Sequence, residues 1–113
     1  MSLFSLIKSK LSPLNIPVFR LTANTNSNQY ITVTEYNNSG SLYADDDEIS
    51  TRTSVQVDLY SKGNYDEMTK RIKELLKAAG FRKSGEHELY EHDTGYYHKV
   101  LRFYYEQENG GDN

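Results

Sequence analysis

Residues 90–106 read YEHDTGYYHKVLRFYYE, and this stretch decides the fold. Two bulky runs flank the polar Asp93-Thr94-Gly95, and five tyrosines fall between Tyr90 and Tyr105. Aromatic and β-branched side chains fit a pleated, half-buried surface, and Asp-Thr-Gly supplies turn chemistry, so the stretch predicts a β-hairpin. Alternation sets Tyr97, Lys99, Leu101, Phe103 and Tyr105 on one face of its second strand, and Tyr96, His98, Val100, Arg102 and Tyr104 on the other. The first face is apolar enough to enter a core. The second mixes aromatic and cationic groups, as surfaces covered by another protein do. Small domains also use tyrosine as a half-buried ring with its hydroxyl in water.

Upstream, residues 64–79 carry the most secure helix. Tyr65, Met68, Ile72, Leu75, Leu76 and Ala79 form an apolar stripe, while Lys70, Lys73, Glu74 and Lys77 are expected to face water. Asn64 with Glu67 three residues on suggests a capping box, Asp66 and Glu67 suit the helix dipole, and Gly80 suits the C′ position. Before it, residues 30–36 (YITVTEY) and 51–60 (TRTSVQVDLY) alternate as strands, with Ile31, Val33, Val55, Val57 and Leu59 inward. Residues 37–40 (NNSG) read as a turn and 42–50 as an exposed acidic loop, long for a hairpin connection. Residues 2–11 have helical spacing, stopped by Pro13 and Pro17. The expected fold is α+β: a four-stranded mixed or antiparallel sheet built from two hairpins, covered by one long helix, with a short N-terminal helix. Residues 1–106 form the single domain, and 107–113 a flexible tail.

The chain's 113 residues suffice for one core. With 36% hydrophobic and 26% charged residues it is polar for a self-sufficient domain, so partners are expected to complete its burial. There is no apolar run of membrane-spanning length, and the N-terminus lacks the apolar core and cleavage site of a signal peptide. The lack of cysteine rules out disulfides and thiolate metal sites. Residues 1–34 hold Lys8, Lys10 and Arg20 and no acid, whereas the remainder holds all 16 acids against 10 bases. Scattered, outnumbered bases argue against sequence-specific nucleic-acid binding. A basic end and an acidic end suit head-to-tail association of copies.

His87, His92 and His98 lie among Glu86, Glu88, Glu91 and Asp93, which suggests metal or acid–base chemistry. His87 and His92 differ by five, however, which places them on opposite strand faces, so exposed strand histidines are expected. The run Asp45-Asp46-Asp47-Glu48 lacks the alternation and glycine of a calcium loop and reads as a solvated segment able to dock on a basic neighbour. Lys8, Lys10 and Arg20 of another copy would suit it. No phosphate-cradling, nucleophile-elbow or HExxH motif occurs. No catalytic, cofactor or metal residue is assigned, and the candidate interaction surface is Asp45, Asp46, Asp47, Glu48, Tyr60, Tyr96, Arg102 and Tyr104.

Ile16-Pro17-Val18, Tyr30-Ile31-Thr32-Val33, Tyr43-Ala44-Asp45-Asp46, Val55-Gln56-Val57-Asp58-Leu59-Tyr60-Ser61 and the ending from Tyr90 to Phe103 together carry a resemblance. Over residues 16–106 the chain resembles small tail terminator, or tail-to-head joining, proteins of long-tailed phages and prophages of Gram-positive bacteria. The short N-terminal helix departs from that pattern. The resemblance implies a non-enzymatic virion protein without cofactor, assembled in the bacterial host cytoplasm. It implies a ring, most often hexameric, that contacts the tail tube protein and the head–tail connector. Another neck or minor tail component, or a small ligand- or peptide-binding module using the tyrosine-rich face, are the alternatives; an enzyme built on the histidines ranks behind both.

Overall fold

The computed structural model of the protein describes residues 2–44 and 47–108. Helix α1 (Leu3–Leu11) continues into a 3₁₀ turn (Ser12–Leu14), followed by β1 (Val18–Arg20), β2 (Gln29–Ala44) and β3 (Asp47–Ser61). Helix α2 (Asp66–Ala78), β4 (Arg82–Glu91) and β5 (Tyr96–Glu108) complete the order. Among the described residues the strands form one sheet in the order β1-β2-β3-β5-β4, antiparallel except for the parallel β1–β2 pair.

The sheet therefore has five strands rather than the expected four, and two helical segments of similar length share its cover instead of one long helix. The fifth strand is only Val18-Phe19-Arg20, too short to show a period. Its pairing depends on distant contacts: Pro17 O accepts from Ile31 N at 2.9 Å, and Val33 O accepts from Leu21 N at 2.9 Å. Left-handed backbone at Asn15 (φ 60°) and Leu21 (φ 67°) turns the chain into and out of this strand.

The segment expected to be a turn and an acidic loop is instead a continued ribbon. β2 and β3 stay paired from Asn37↔Ser54 to Ala44↔Asp47, with register shifts after Glu35, Gly40 and Leu42. Backbone pairing holds it, and bulges absorb the irregular residues, so a polar composition does not exclude strand there. The 16-residue β2 gives the molecule its long axis, 51 Å against 25 and 23 Å. Asp45 and Asp46 lie outside the described residues. β5 runs to Glu108, beyond the expected domain end, and residues 109–113 lie outside those described.

Both helices pack on one face of the sheet. Ile7, Leu11 and Leu14 from the N-terminal segment and Ile72 and Leu76 from α2 meet Ile31, Val33, Val55, Val57, Leu59, Leu101 and Phe103, all buried. Helix α2 starts two residues later than expected, because Asn64 Oδ1 accepts from Asp66 N (2.9 Å) and forms a local turn instead of a capping box. Its C-terminus closes as a Schellman motif: Phe81 N donates to Leu76 O (2.9 Å) and Gly80 N to Lys77 O (3.0 Å), with Gly80 at φ 100°. Thr69, Ile72 and Leu76 are the buried line of α2, flanked by the half-buried Tyr65, Met68 and Leu75. Lys73, expected to be free in water, instead pairs with Glu86 at 2.7 Å.

Candidate functional site

The other face of the sheet has no helix over it among the described residues. Cross-strand register arranges its side chains in rows. Tyr30, Tyr60, His98 and Leu89 make one row across four strands; Thr32, Asp58, Val100 and His87 make the next; Thr34, Gln56 and Arg102 follow. In the first row Tyr30 stacks on Tyr60 (centroids 4.6 Å apart, planes at 10°), and Tyr60 stacks on His98 (4.2 Å, 20°). Tyr96 stands edge-on to Tyr30 at 5.3 Å and to Tyr60 at 6.2 Å, and Phe19 of β1 abuts Tyr30 at 6.3 Å. Aromatic pairs in these geometries add ~0.5–1.5 kcal/mol each beyond the area they bury.

A chain of polar contacts crosses the rows. His98 Nε2 lies 2.8 Å from Asp58 Oδ2, and its Nδ1 lies 3.5 Å from Glu91 Oε2. Gln56 Nε2 donates to the same Asp58 oxygen at 3.2 Å, and Gln56 Oε1 accepts from Arg102 Nε at 3.2 Å. Farther along, the Arg52 guanidinium sits 4.2 Å over the Tyr104 ring and pairs with Glu106 at 3.4 Å. At the opposite end Tyr96 Oη donates to Ser27 O at 2.6 Å, and Lys62 lies 4.9 Å over the Tyr96 ring. Asp58 is only 8% exposed although no helix covers this face among the described residues, so the side chains bury one another in the plane of the sheet. Asp58 Oδ1 and Arg52 Nε are buried with no hydrogen-bond partner among the described residues.

The chemistry of this face is that of a platform in which uncharged tyrosine hydroxyls sit beside paired charged groups. Burial first, then the charge of Asp58, then Tyr30 and Glu91, push the Tyr60 phenol up to about 12. Burial, Tyr96 and Glu91 likewise raise that of Tyr30. Both hydroxyls stay protonated at neutral pH, available as hydrogen-bond donors and unsuited to act as nucleophiles. Among the described residues no group of three or more His, Asp or Glu is placed to hold a metal ion.

On the helix side of the hairpin, Glu86 gathers three ammonium groups: Lys73 at 2.7 Å, Lys99 at 2.9 Å, and Lys83. Hydrogen bonds from Lys73, then Lys83, then Lys99 hold its carboxyl well below the usual carboxylate range. Burial pulls the Lys99 ammonium down, but Glu86 and Glu88 outweigh it, and its net shift is upward. This cluster fastens α2 to β4 and β5.

The expected interaction surface therefore splits. Tyr60 and Tyr96 meet at 6.2 Å, Arg102 joins them through Gln56 and Asp58, and Tyr104 lies one row farther, under Arg52. Asp47 and Glu48 open β3, twelve residues from Tyr60 at the nearer of the two, about 40 Å along an extended strand; Asp45 and Asp46 are outside the described residues. His98, expected to be exposed, has a side chain 12% exposed and opposes Leu89; His87 and His92 are exposed. Tyr30, Asp58 and Leu89 were not singled out. Strand parity placed Tyr30 and Asp58 on the outward face, but only the register Tyr30↔Tyr60↔His98 assembles the platform.

No protein-family model matches the sequence, and no curated protein matches it. Among solved structures, a chain from the virion of a native gene transfer agent particle is similar over 96% of this chain and 96% of its own length. The TM-score is 0.62 at 10% sequence identity. The two chains share a fold from end to end.

Proposed function

We propose that this chain is a structural component of a phage-type virion. Within that class it acts as a tail terminator or tail-to-head joining protein, closing a ring of copies, with six as the favoured number, at the head-proximal end of the tail. The observation that carries this reading is the end-to-end fold likeness to a virion-particle chain. Fold likeness alone does not assign a role, but the surface fits one. A flat platform of stacked rings and fixed polar groups is suited to being covered by another protein, with aromatic and arginine anchors at its centre. A chain whose residues 1–34 carry bases and no acid, while the remainder is net acidic, suits heterologous contacts that close a ring. The protonated Tyr60 and Tyr30 fit a binding surface, and the reading gives the chain no catalytic step and no cofactor.

The partners are then further copies, the tail tube protein and the head–tail connector, in the virion and, before that, in the host cytoplasm. Light scattering and negative-stain electron microscopy of the purified chain, alone and with tail tube protein, test the reading. Rings of uniform size, or a ring seated on tube ends, are expected. A chain that remains monomeric under all salt conditions and ignores both tube protein and connector would refute it. Rings that label a neck or tail position other than the tube end would transfer the role to another neck or minor tail component.

A further inference from the structure

Where β4 begins, the sheet steps. Arg82 pairs with Tyr104, and beyond that pair the outer edge of β5 has no strand beside it among the described residues. A cavity of about 670 Å³ opens at this step, lined by Lys73, Lys77, Arg82 and Lys83 and by the buried rings of Phe81 and Phe103. No carboxylate lines it. Glu86, just outside, engages Lys73 and Lys83, whereas Lys77 and Arg82 have no ion pair among the described residues. Four cations and no carboxylate in the lining give the cavity a positive field that attracts anionic groups.

A complement sits at the far end of the same chain. From the row holding Arg82, Tyr104, Ser54 and Asn37, β2 runs seven residues farther to Ala44. At about 3.3 Å per residue, the ribbon's end projects on the order of 23 Å past the cavity. The sequence spanning that end is Asp45-Asp46-Asp47-Glu48, four consecutive acids. The described ribbon, up to the Ala44↔Asp47 pair, leads away from the cavity of its own copy, which leaves that cavity open to a successive copy.

The geometry points to a head-to-tail contact in which the acidic segment 45–48 of one copy docks into the Lys73–Lys77–Arg82–Lys83 cavity of the next. This rests on the ring reading and names the contact that closes it. Lysine and arginine side chains meet the carboxylates, with Arg82 able to engage one in a two-pronged fork. The unpaired edge of β5 offers backbone donors and acceptors to an extended visitor. Glu106 on that edge is bridged by Arg52. The contact is heterologous, as ring closure requires, and its charges set register between copies. Of the bases expected from sequence to receive the acidic run, Lys8 and Lys10 sit on the last turn of α1 and Arg20 on β1.

A charge swap tests it. One variant reverses the cavity (Lys77→Glu with Arg82→Glu), and another reverses the tip (Asp45→Lys, Asp46→Lys and Asp47→Lys). Circular dichroism first establishes that both fold. Each alone is expected to lose self-association by about tenfold or more, as like charges then face each other. A one-to-one mixture is expected to recover assembly, because every tip in an alternating ring again meets an opposite cavity. Wild type that assembles while the mixture does not recover, or variants that assemble alone as wild type does, would overturn the docking and leave the ring reading standing. Wild type that stays monomeric, even with tube protein and connector, would overturn both. Wild type that binds DNA in a manner lost in the cavity variant would assign the cavity to phosphate and overturn the docking.

Discussion

Replacing Glu86 with glutamine keeps the side chain's shape and removes the charge on which three lysines converge. The pairs with Lys73 and Lys83 involve ammonium groups 35% and 42% exposed, so each is worth only ~0.2–1 kcal/mol. Lys99 differs, because its side chain is 11% exposed and its bond to Glu86 is 2.9 Å long. A charge-assisted bond of that kind contributes ~1.5–3 kcal/mol, and Glu88, 3.3 Å away, remains as a second partner for Lys99. Glu86→Gln is therefore expected to cost about 2–4 kcal/mol at neutral pH, read from the urea midpoint at unchanged slope. The pH dependence has a definite sign. The lysines hold the Glu86 carboxyl below its ordinary value of 4.5, so its contribution is fully present above that pH and is lost as pH falls through the depressed folded value. The gap between wild type and variant should thus narrow progressively below pH 4.5. A cost under about 0.5 kcal/mol at neutral pH, or a gap that stays constant in acid, would refute the view that this cluster fastens α2 to the hairpin.

Ile72→Ala, at a fully buried position, should cost about 2–5 kcal/mol in the same assay, whereas Lys73→Ala should cost no more than ~1 kcal/mol; equal losses would mean that the phase of α2 is wrong. Gly80→Ala should destabilise by about 1 kcal/mol or more, since φ is 100° and the added Cβ would lie 3.3 Å from Tyr105 Cε1; an unchanged thermal midpoint would count against the helix-ending geometry. Ultraviolet titration should show one tyrosine ionising at about pH 12, and that step should vanish in Tyr60→Phe; a Tyr60 phenol titrating near 10 would mean the platform is open to water.

What was legible in the sequence is what period and local chemistry encode. The alternation of Val55, Val57 and Leu59 and of Leu101 and Phe103 assigned the core face, and these five are buried. The two faces of β5 separated as their parity requires. β1 could not be read this way, because three residues carry no period and a parallel partner is chosen by distant contacts. The ribbon beyond Asn37 escapes such a reading for a different reason: hydrophobic patterning reports which face meets a core, whereas backbone pairing, which defines this ribbon, leaves no mark in composition. The platform fell between these cases. Tyr60, Tyr96, Arg102 and Tyr104 could be placed on a face, but no single-strand pattern shows that Tyr30 and His98 stack on either side of Tyr60. Lys73 looked solvated because helical spacing says where a side chain starts and not that Glu86 lies across the gap.

The distribution of burial separates folding from assembly. The core under the two helices closes within one copy, with Ile7, Leu11, Ile72 and Leu76 fully buried against the strands. The opposite face reaches a similar stillness by other means: stacked rings and a relay from Glu91 through His98, Asp58 and Gln56 to Arg102 fix the side chains in place. Such a platform loses little rotamer freedom when a partner covers it, so its ordering cost is already met in the single copy. The acidic segment is the reverse case, four like charges in succession that repel one another and that opposite charge from a neighbouring copy would relieve. In the assembly proposed above, the platform would supply a rigid seat and the acidic segment a salt-sensitive latch. Weakening the latch with salt should then loosen contacts between copies without unfolding any one of them.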